Sequence, residues 1–382
     1  MARRNKDKKS VAHLLSEEQK LNWLRLIRTR NVGPVTFWRM INHFGGAAKA
    51  LEMLPEYARR GGKKLASPIT SEMVQRELQA AQKQGATLVA RGEPGYPPLL
   101  AHLLAPPPLL YIKGNLDLAQ LPAVAIVGSR NASAIGQKFT RKIAAELANE
   151  GYAIVSGLAR GIDTAAHFGA LQTATIAVIA GGIGNYYPPQ NKDLQRQIEQ
   201  NGLLITENPP GFAPRAQDFP RRNRIISGST LGTIVVEANL RSGSLITARL
   251  ANEQGRHVMA VPGHPLDPRA SGPNSLIRNG ASLIGRAADI IEDLAPMSTI
   301  NRADQPSLFE GREQQPELEM DDTDLSAREL ILNALSVNSV EIDELIQATE
   351  LPSRMVRAVL IELSLAGKVR NDSAQTIRLS TQ

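Results

Sequence analysis

Two short loops rich in glycine and arginine follow apolar runs near the centre of the chain. They are Gly128-Ser129-Arg130 and the segment Ser156–Asp163, which contains Gly157 and Arg160. Glycine lets a backbone approach a phosphate, amides at a helix start point toward it, and arginine adds paired donors. Either loop could instead be a tight turn with an exposed arginine. Because two loops repeat the same chemistry, the sequence favours an anion site.

The first loop does not match the G-x-G-x-x-G pattern of dinucleotide-binding proteins, because Arg130 occupies the second glycine position. A phosphate-backbone ligand is therefore favoured over a dinucleotide coenzyme, and no cofactor is expected. The chain has no cysteine, and its six scattered histidines lack ligand spacing, so no metal site is expected either.

Two later segments carry similar groups. They contain Arg221, Arg222, Asn223 and Arg224, and then Arg241, Ser242, Gly243 and Ser244. A run such as the first is usually a solvated basic face. Here Asn223 interrupts the charges and apolar residues flank them, which indicates the start of a structural element. The second segment resembles a phosphate cradle at a helix start. Four such loops at one sheet edge predict a phosphate site better than any single one.

Lys192 follows a glycine-rich loop and the pair Tyr186-Tyr187. The tyrosines could stack on a base while the lysine holds a phosphate. Alternatively, the tyrosines pack on their own loop. We expect Lys192 to contact phosphate, and the tyrosines less so.

Two titratable residues lie just beyond Arg160. We expect Asp163 to cap the helix that follows it. His167 is as consistent with packing as with function, since nothing near it in sequence forms a nucleophile–base pair.

The elements that must position these loops are short buried strands alternating with helix-length segments. The apolar runs are 124–127, 153–155, 176–179, 203–205, 233–236 and 257–261. This alternation predicts an α/β domain with a Rossmann-like, doubly wound, mainly parallel sheet. Ligands of such sheets bind at the carboxyl ends of the strands, where the four loops would lie.

Helical patterns flank the predicted sheet. Ser16 with Gln19 resembles a capping box, and Asn31-Val32-Gly33-Pro34 separates two helices. This arrangement is either a helix-hairpin-helix that binds DNA phosphates or a plain helical hairpin. At the other end, three helices and two strands, 368–370 and 376–379, resemble a winged helix. Its candidate recognition helix, 353–366, offers only Arg354 and Arg357 as cations, which favours a protein-contact or accessory role over DNA binding.

These patterns divide the chain into five segments. They are a basic disordered tail (1–15), a helical SAM or helix-hairpin-helix-like domain (16–90), a Rossmann-like domain (91–295), an acidic linker (296–324) and a winged-helix domain (325–382). A Pro-rich stretch, 94–108, is expected to be an extended connector. The net charge of +7 favours phosphate-bearing partners. No apolar run approaches the roughly 20 residues of a membrane span and no secretory signal is evident, so we expect a cytoplasmic protein without membrane contact.

The same motifs, in the same order over about residues 95–290, resemble the DprA/Smf family. They are Gly128-Ser129-Arg130, the Ser156–Asp163 loop, Phe219–Ile226, Glu237–Thr247, Val261-Pro262-Gly263 and Gly272–Ile277 with Gly280-Ala281. The resemblance implies a DNA-processing protein of natural transformation. Such a protein binds and protects incoming single-stranded DNA, helps load RecA recombinase, and forms homodimers through its Rossmann-like domain, with no established catalytic reaction.

The resemblance also implies which residues meet the strand. The expected contacts are Arg130, Arg160, Lys192, Arg222, Asn223, Arg224 and Arg241. Gly128, Ser129, Gly157 and the segment Ser242, Gly243 and Ser244 are expected to shape the phosphate sites.

Two other functions remain open at this point. Gly232-Thr233 with Glu237 is similar to the Gly-Thr-x-x-x-Glu of lysine-decarboxylase-like nucleotide phosphoribohydrolases. Glu237 would then have to face a pocket, whereas we expect it to pair with Arg222 or Arg224. The third function is an interaction adaptor that works through the winged helix.

Overall fold

A nine-stranded sheet forms the centre of the chain in the computed structural model, which describes residues 14–60, 68–300, 324–336 and 338–380. Most of the expected N-terminal tail and acidic linker lies outside these residues. The described residues form two compact units. One comprises 77–103 and 109–300, and the other comprises 14–60, 68–76, 104–108 and the described residues from 324 to 380.

Four helices open the chain. They are α1 (Glu17–Arg28), α2 (Pro34–Phe44), α3 (Ala47–Arg60) and α4 (Ser71–Lys83). The capping box at α1 is present: the amide of Gln19 donates to Ser16 Oγ at 3.2 Å, and the Ser16 amide donates to Gln19 Oε1 at 2.8 Å. Trp23 and Phe37 are buried and pack edge to face with their ring centroids 5.2 Å apart, which joins α1 to α2.

Strands and helices then alternate through the sheet domain. They are β1 (Thr87–Ala90), α5 (Pro98–Ala101), β2 (Leu109–Gly114), β3 (Ala123–Gly128), α6 (Ala134–Asn149), β4 (Ala153–Ser156), α7 (Ile162–Ala170), β5 (Thr175–Val178), α8 (Lys192–Asn201), β6 (Leu203–Thr206), α9 (Asp218–Gly228), β7 (Gly232–Val236), α10 (Gly243–Glu253), β8 (His257–Ala260), α11 (Ser271–Arg278), β9 (Ser282–Leu283) and α12 (Ala287–Ile300). Each of the six apolar runs forms a strand.

The strand order is β1-β2-β6-β5-β4-β3-β7-β8-β9. All neighbours from β6 to β9 are parallel, and β1 and β2 add an antiparallel edge. The mainly parallel, doubly wound sheet is therefore confirmed. The sequence did not predict β1 and β2, because β1 lies in the segment interpreted as a helical domain and β2 lies between the Pro-rich stretch and the first of the six apolar runs.

Alternate side chains of the strands point to opposite faces of the sheet. Val127 and Val155 pack with Ile225 and Ile226 of α9 on one face. Val124, Ile126 and Ile154 belong to the opposite face, which α6, α7 and α12 cover with Ile143, Leu147, Ile162 and Ile290. Fully burying such an aliphatic side chain contributes about 1.5–3 kcal/mol. Helices on both faces leave the strand ends as the accessible part of the sheet.

The last elements form a winged helix. They are α13 (Asp324–Ala334), β10 (Val340–Glu341), α14 (Ile342–Thr349), α15 (Ser353–Leu365), β11 (Val369–Asn371) and β12 (Thr376–Leu379). The three strands pair antiparallel in the order β10-β12-β11. Across the described ranges, no helix combines the length and apolar character needed to cross a membrane.

Candidate nucleic-acid interface

A cavity of about 280 Å³ opens at the carboxyl ends of β3, β4 and β5. Its lining includes Arg130, Arg160 and Arg222, the aromatic residues Tyr187 and Phe219, and Gly157. Three of the seven cationic or amide side chains expected to meet the strand therefore surround one opening. A site with three guanidinium groups and two aromatic rings can hold phosphates and stack bases.

The loops after β3 and β4 are held together at Gly161. This residue has a φ of 78°, and a Cβ there would collide with the backbone of Ser129 and Arg130. The amide of Ile162 donates to the Ser129 carbonyl at 3.1 Å. A side chain at position 161 would separate the loops, so glycine is needed to keep Arg130 and Arg160 at the same opening.

The two outer arginines are exposed. The Arg130 guanidinium lies 5.5 Å from the centroid of the Phe219 ring, and that ring lies 5.5 Å from the centroid of Tyr187. A cation on an aromatic face loses little water and keeps its edge free for anions. Arg130 is thus held at the cavity mouth by an aromatic surface that could also stack on a base.

Arg222 forms the inner wall. It is buried, and its Nη1 donates to the Val178 carbonyl at 3.0 Å. Burial lowers the pKa of Arg222 to about 10, while the Asp163 carboxyl opposes this shift and Arg130 adds to it. The side chain therefore stays charged at neutral pH. A buried cation facing a cavity with a second cation nearby attracts an anion more strongly than an exposed one.

Asp163 does not cap its helix. It lies inside the first turn of α7, whose cap position is Gly161. Its Oδ2 accepts from the amides of Gly157 and Ala159 at 3.1 and 3.3 Å. Burial raises the pKa of Asp163, opposed by Arg222 and by these two amides. The carboxyl therefore holds the β4 loop in shape, and the capping prediction is wrong because the helix begins one residue before Asp163.

The other residues of the arginine run point elsewhere, because successive residues of a helix are 100° apart. Arg224 forms an ion pair with Glu207, and Asn223 Nδ2 donates to the Gly243 carbonyl at 3.4 Å. Neither lines the cavity. The resemblance implied strand contacts for Arg222, Asn223 and Arg224 alike, whereas α9 turns only Arg222 into the cavity.

Arg241 and its neighbours lie at the carboxyl end of β7, on the other side of β3. Ser242 caps α10, and its Oγ lies 3.3 Å from the Ser244 amide and 2.7 Å from Ser244 Oγ. Arg241 and Gly243 are exposed. This helix start shares the strand-end edge with the cavity but is separate from it.

Lys192 is exposed at the first residue of α8. Its Nζ lies 5.8 Å from the centroid of the Tyr186 ring, and Arg196 lies 5.4 Å from the same centroid.

Two further residues of the site were not among those predicted from the sequence. Asn191 donates from Nδ2 to the carbonyls of Leu158 and Ala159 at 2.9 and 3.2 Å. Asn191 therefore connects the start of α8 to the β4 loop. Phe219 was also missed as a ring of the site, although it stands two residues before Arg221.

Glu237 faces α6. It has a φ of 52°, its Oε2 accepts from the Ser133 amide at 2.8 Å, and its Oε1 accepts from Ser133 Oγ. The expectation that it pairs with Arg222 or Arg224 is wrong, because those arginines face Asp163 and Glu207. A carboxylate at a helix N-terminus is stabilised by the helix dipole. Glu237 thus joins the loops after β7 and β3, and it does not line the cavity.

His167 packs in the interior. It is fully buried, and its Nδ1 lies 2.8 Å from Thr175 Oγ1. Burial, with a smaller contribution from Arg222, lowers the pKa of His167 to about 3, so the ring is neutral at physiological pH. Of the two roles that the sequence left open for His167, packing is therefore the one that the structure supports.

The fold and the strand-end site together define the class of this protein. It is an α/β protein whose mainly parallel sheet carries arginine- and glycine-rich loops at its strand ends, with a helical N-terminal domain and a C-terminal winged helix. Residues 87–295 match the model of DNA recombination-mediator protein A, residues 17–80 that of the DprA-like N-terminal HHH domain, and residues 314–374 that of the DprA winged helix domain. The chain belongs to the DprA/Smf family.

Individual relatives agree with this assignment. Protein Smf of Synechocystis is 32% identical over 390 residues, covering 94% of this chain and 98% of the relative. DNA processing protein DprA of Streptococcus pneumoniae is 48% identical over 200 residues, 52% of this chain and 71% of the relative.

Two solved structures are also similar. That of DprA from S. pneumoniae has a TM-score of 0.61 at 35% identity, covering 71% of this chain and 97% of its own. A structure from Helicobacter pylori, described as showing the single-stranded DNA binding mode of DNA processing protein A, has a TM-score of 0.51 at 31% identity, covering 56% and 96%.

Proposed function

We propose that this chain binds single-stranded DNA across the carboxyl ends of its sheet, with the cavity formed around Arg130, Arg160 and Arg222 as the principal phosphate site. The observation that carries the proposal is the convergence of these three guanidinium groups with Tyr187 and Phe219 on one opening. The H. pylori relative, described as binding single-stranded DNA, supports it.

Each group has a distinct role in this proposal. Arg130 and Arg160 contact phosphates at the mouth, and Arg222 attracts a phosphate from the inner wall. Gly128, Ser129 and Gly157 shape the loops around them. The strand continues past Lys192 on one side and past Arg241 with Ser242, Gly243 and Ser244 on the other, since both groups lie beyond strand ends of the same sheet.

Asn223 and Arg224 have an indirect role in binding, because they hold α9 in place. Their side chains bond to Gly243 and Glu207, and both residues lie next to Arg222 on α9. We propose that they fix the helix that presents Arg222, and that Arg224 meets the strand only at the edge of the site.

The mechanism is electrostatic capture with stacking. Cations that replace counterions on the strand make affinity fall steeply with salt. Stacking on Phe219 and Tyr187 favours bases that are free of a duplex and tolerates any sequence. Single strands should therefore be preferred over duplexes with little sequence preference.

The cellular role that we propose comes from the family. It is protection of incoming strands and RecA loading in natural transformation and recombination, in the cytoplasm, by a homodimer formed through the Rossmann-like domain. We assign the chain no catalytic step. Glu237, the residue a phosphoribohydrolase would use, has both carboxylate oxygens bonded to Ser133.

Photo-cross-linking tests the location. A single strand that carries 5-iodouracil is bound to the full chain, irradiated, and mapped by mass spectrometry. Cross-links at Tyr187 or Phe219 would support the cavity. Cross-links confined to residues 14–60 or 327–380 would overturn it.

A further inference from the structure

The winged helix carries a second apolar stripe on its recognition helix. Val356, Val359, Leu360 and Leu363 of α15 belong to the winged-helix core. Ala358, Ile361 and Leu365 lie on the opposite side of the helix, because each residue turns it by 100°. In a winged helix that reads DNA, this outer side enters the major groove and carries polar side chains that bond to base edges. Here it is apolar.

This outer stripe is buried. Ala358, Ile361 and Leu365 are 3%, 1% and 1% exposed. Nine of the thirteen residues of α15 are buried, and the four that are not are Ser353, Arg354, Met355 and Arg357. The helix is therefore enclosed on both sides along its C-terminal half, which leaves only its first turn and a half accessible.

The covering surface is the N-terminal helical domain, which belongs to the same compact unit. Helices α2 and α3 pack against α15. Asn31, in the hairpin turn, donates from Nδ2 to the Leu365 carbonyl at 2.9 Å. An apolar stripe packed on two helices and fixed by a side chain from the turn has the composition of a protein–protein interface.

Polar contacts from the wing complete the interface. Arg39 of α2 donates from Nη1 to Asn371 Oδ1 at 2.6 Å and from Nη2 to the Ala374 carbonyl at 3.2 Å. Asn371 Nδ2 lies 3.4 Å from Thr36 Oγ1. The wing thus bonds to α2 while the C-terminal half of the recognition helix packs on α2 and α3, so most of the surface that a winged helix presents to DNA is engaged with protein.

We propose that residues 324–380 are an intramolecular docking domain whose recognition helix and wing bind α2, α3 and the hairpin turn of the same chain, and not nucleic acid. The helical and winged-helix domains then act as one composite module. The net −1 of residues 325–382 beside the net +6 of residues 10–90 fits a protein partner better than a polyanion.

Engineered cysteines test the docked arrangement without background, because the chain has no cysteine. Thr36→Cys with Asn371→Cys places one thiol on α2 and one in the wing, at residues whose side-chain ends, Thr36 Oγ1 and Asn371 Nδ2, lie 3.4 Å apart. The full chain should form this disulfide under mild oxidation. The control pair Thr36→Cys with Asp343→Cys, the latter exposed on α14, should not. Equal yields from the two pairs would overturn the proposal.

A charge on the outer stripe separates docking from folding. Ile361→Asp in the Thr36→Cys/Asn371→Cys background should lower the disulfide yield at least fivefold, while circular dichroism retains the helical signal. An unchanged yield would overturn the proposal.

A second measurement decides between protein and DNA as the occupant of α15. Arg354→Ala with Arg357→Ala should change duplex affinity of the full chain less than twofold. A tenfold loss would show that α15 reads DNA and would also overturn the proposal. None of these three experiments depends on the single-strand site of the central sheet.

Discussion

The guanidinium of Arg222 packs directly on the backbone of Gly157, so that a Cβ at position 157 would lie 2.6 Å from its Cζ. Glycine here is required by a close approach between the β4 loop and α9. Because Arg222 also bonds to the Val178 carbonyl, it cannot retreat without losing that bond.

Gly157→Ala should therefore displace Arg222 from the cavity wall. We expect a loss of about 1–3 kcal/mol in the free energy of unfolding, typical of overpacking, and weaker binding of single-stranded DNA. Calorimetry and fluorescence anisotropy measure the two effects. The control for the stability measurement is Gly243→Ala, where a Cβ meets nothing within 4 Å, and the stability of this variant should be unchanged or slightly higher. Equal stability for Gly157→Ala and wild type would contradict the close-approach account.

Alanine variants of Arg224 and Arg221 should differ in melting temperature, although both residues lie on α9. Arg224 is paired with Glu207 and mostly buried, whereas Arg221 is exposed. Arg224→Ala should lower the melting temperature, by a few degrees for about 1 kcal/mol, and Arg221→Ala should leave it unchanged. A stable Arg224→Ala variant that loses single-strand affinity as strongly as Arg130→Ala would instead make Arg224 a direct contact.

Glu237 and Ser133 should be energetically coupled. Ser133 caps α6, and its amide and hydroxyl both donate to Glu237. Removing an N-cap serine costs about 1 kcal/mol. In a double-mutant cycle of Ser133→Ala and Glu237→Ala, we expect a coupling energy of about 0.5–3 kcal/mol from chemical denaturation. Additive effects would show that the pair does not stabilise the loops.

The same contacts of Glu237 predict the absence of phosphoribohydrolase activity. A base-release assay on nucleoside monophosphates should give no product for wild type or Glu237→Gln.

His167 should make stability depend on pH below neutrality. Its pKa is lowered to about 3 by burial, so the unfolded state binds a proton that the folded state does not. Stability from this group is complete above the unfolded pKa, near 6.5, and is lost as the pH falls toward 3, by roughly 1.4 kcal/mol per unit at most. Urea denaturation between pH 7 and 4 measures the slope. His167→Gln should flatten it, and an unchanged slope would assign the dependence to other groups.

The sequence predicted those parts of the fold that depend on local pattern. Continuous apolar runs such as Val124–Val127 indicate buried strands, because helices cover both faces of a parallel sheet. The antiparallel strand Thr87–Ala90 was not predicted, because an edge strand of four residues next to a helical segment is too short to show an alternating apolar pattern.

Side-chain direction was harder to predict. Asp163 in α7, Arg224 in α9 and Glu237 after β7 are polar residues near the site, yet each bonds to another residue of the chain and none lines the cavity. The partners of Arg224 and Glu237 are 17 and 104 residues away, and no spacing rule reaches them. The convergence of Arg130, Arg160 and Arg222 was predictable, because parallel strands bring their carboxyl ends to one edge.

The salt dependence of single-strand binding tests the proposed phosphate site most sharply, when it is followed by fluorescence anisotropy for wild type and for Arg130→Ala with Arg160→Ala. The control is Lys142→Ala with Arg278→Ala, the same change of charge at exposed positions on α6 and α11. We predict that the cavity variant binds more weakly and that its log–log salt slope is smaller by about 1–2, while the control matches wild type. A cavity variant with the affinity and slope of the control would show that the cavity around Arg130, Arg160 and Arg222 is not the phosphate site.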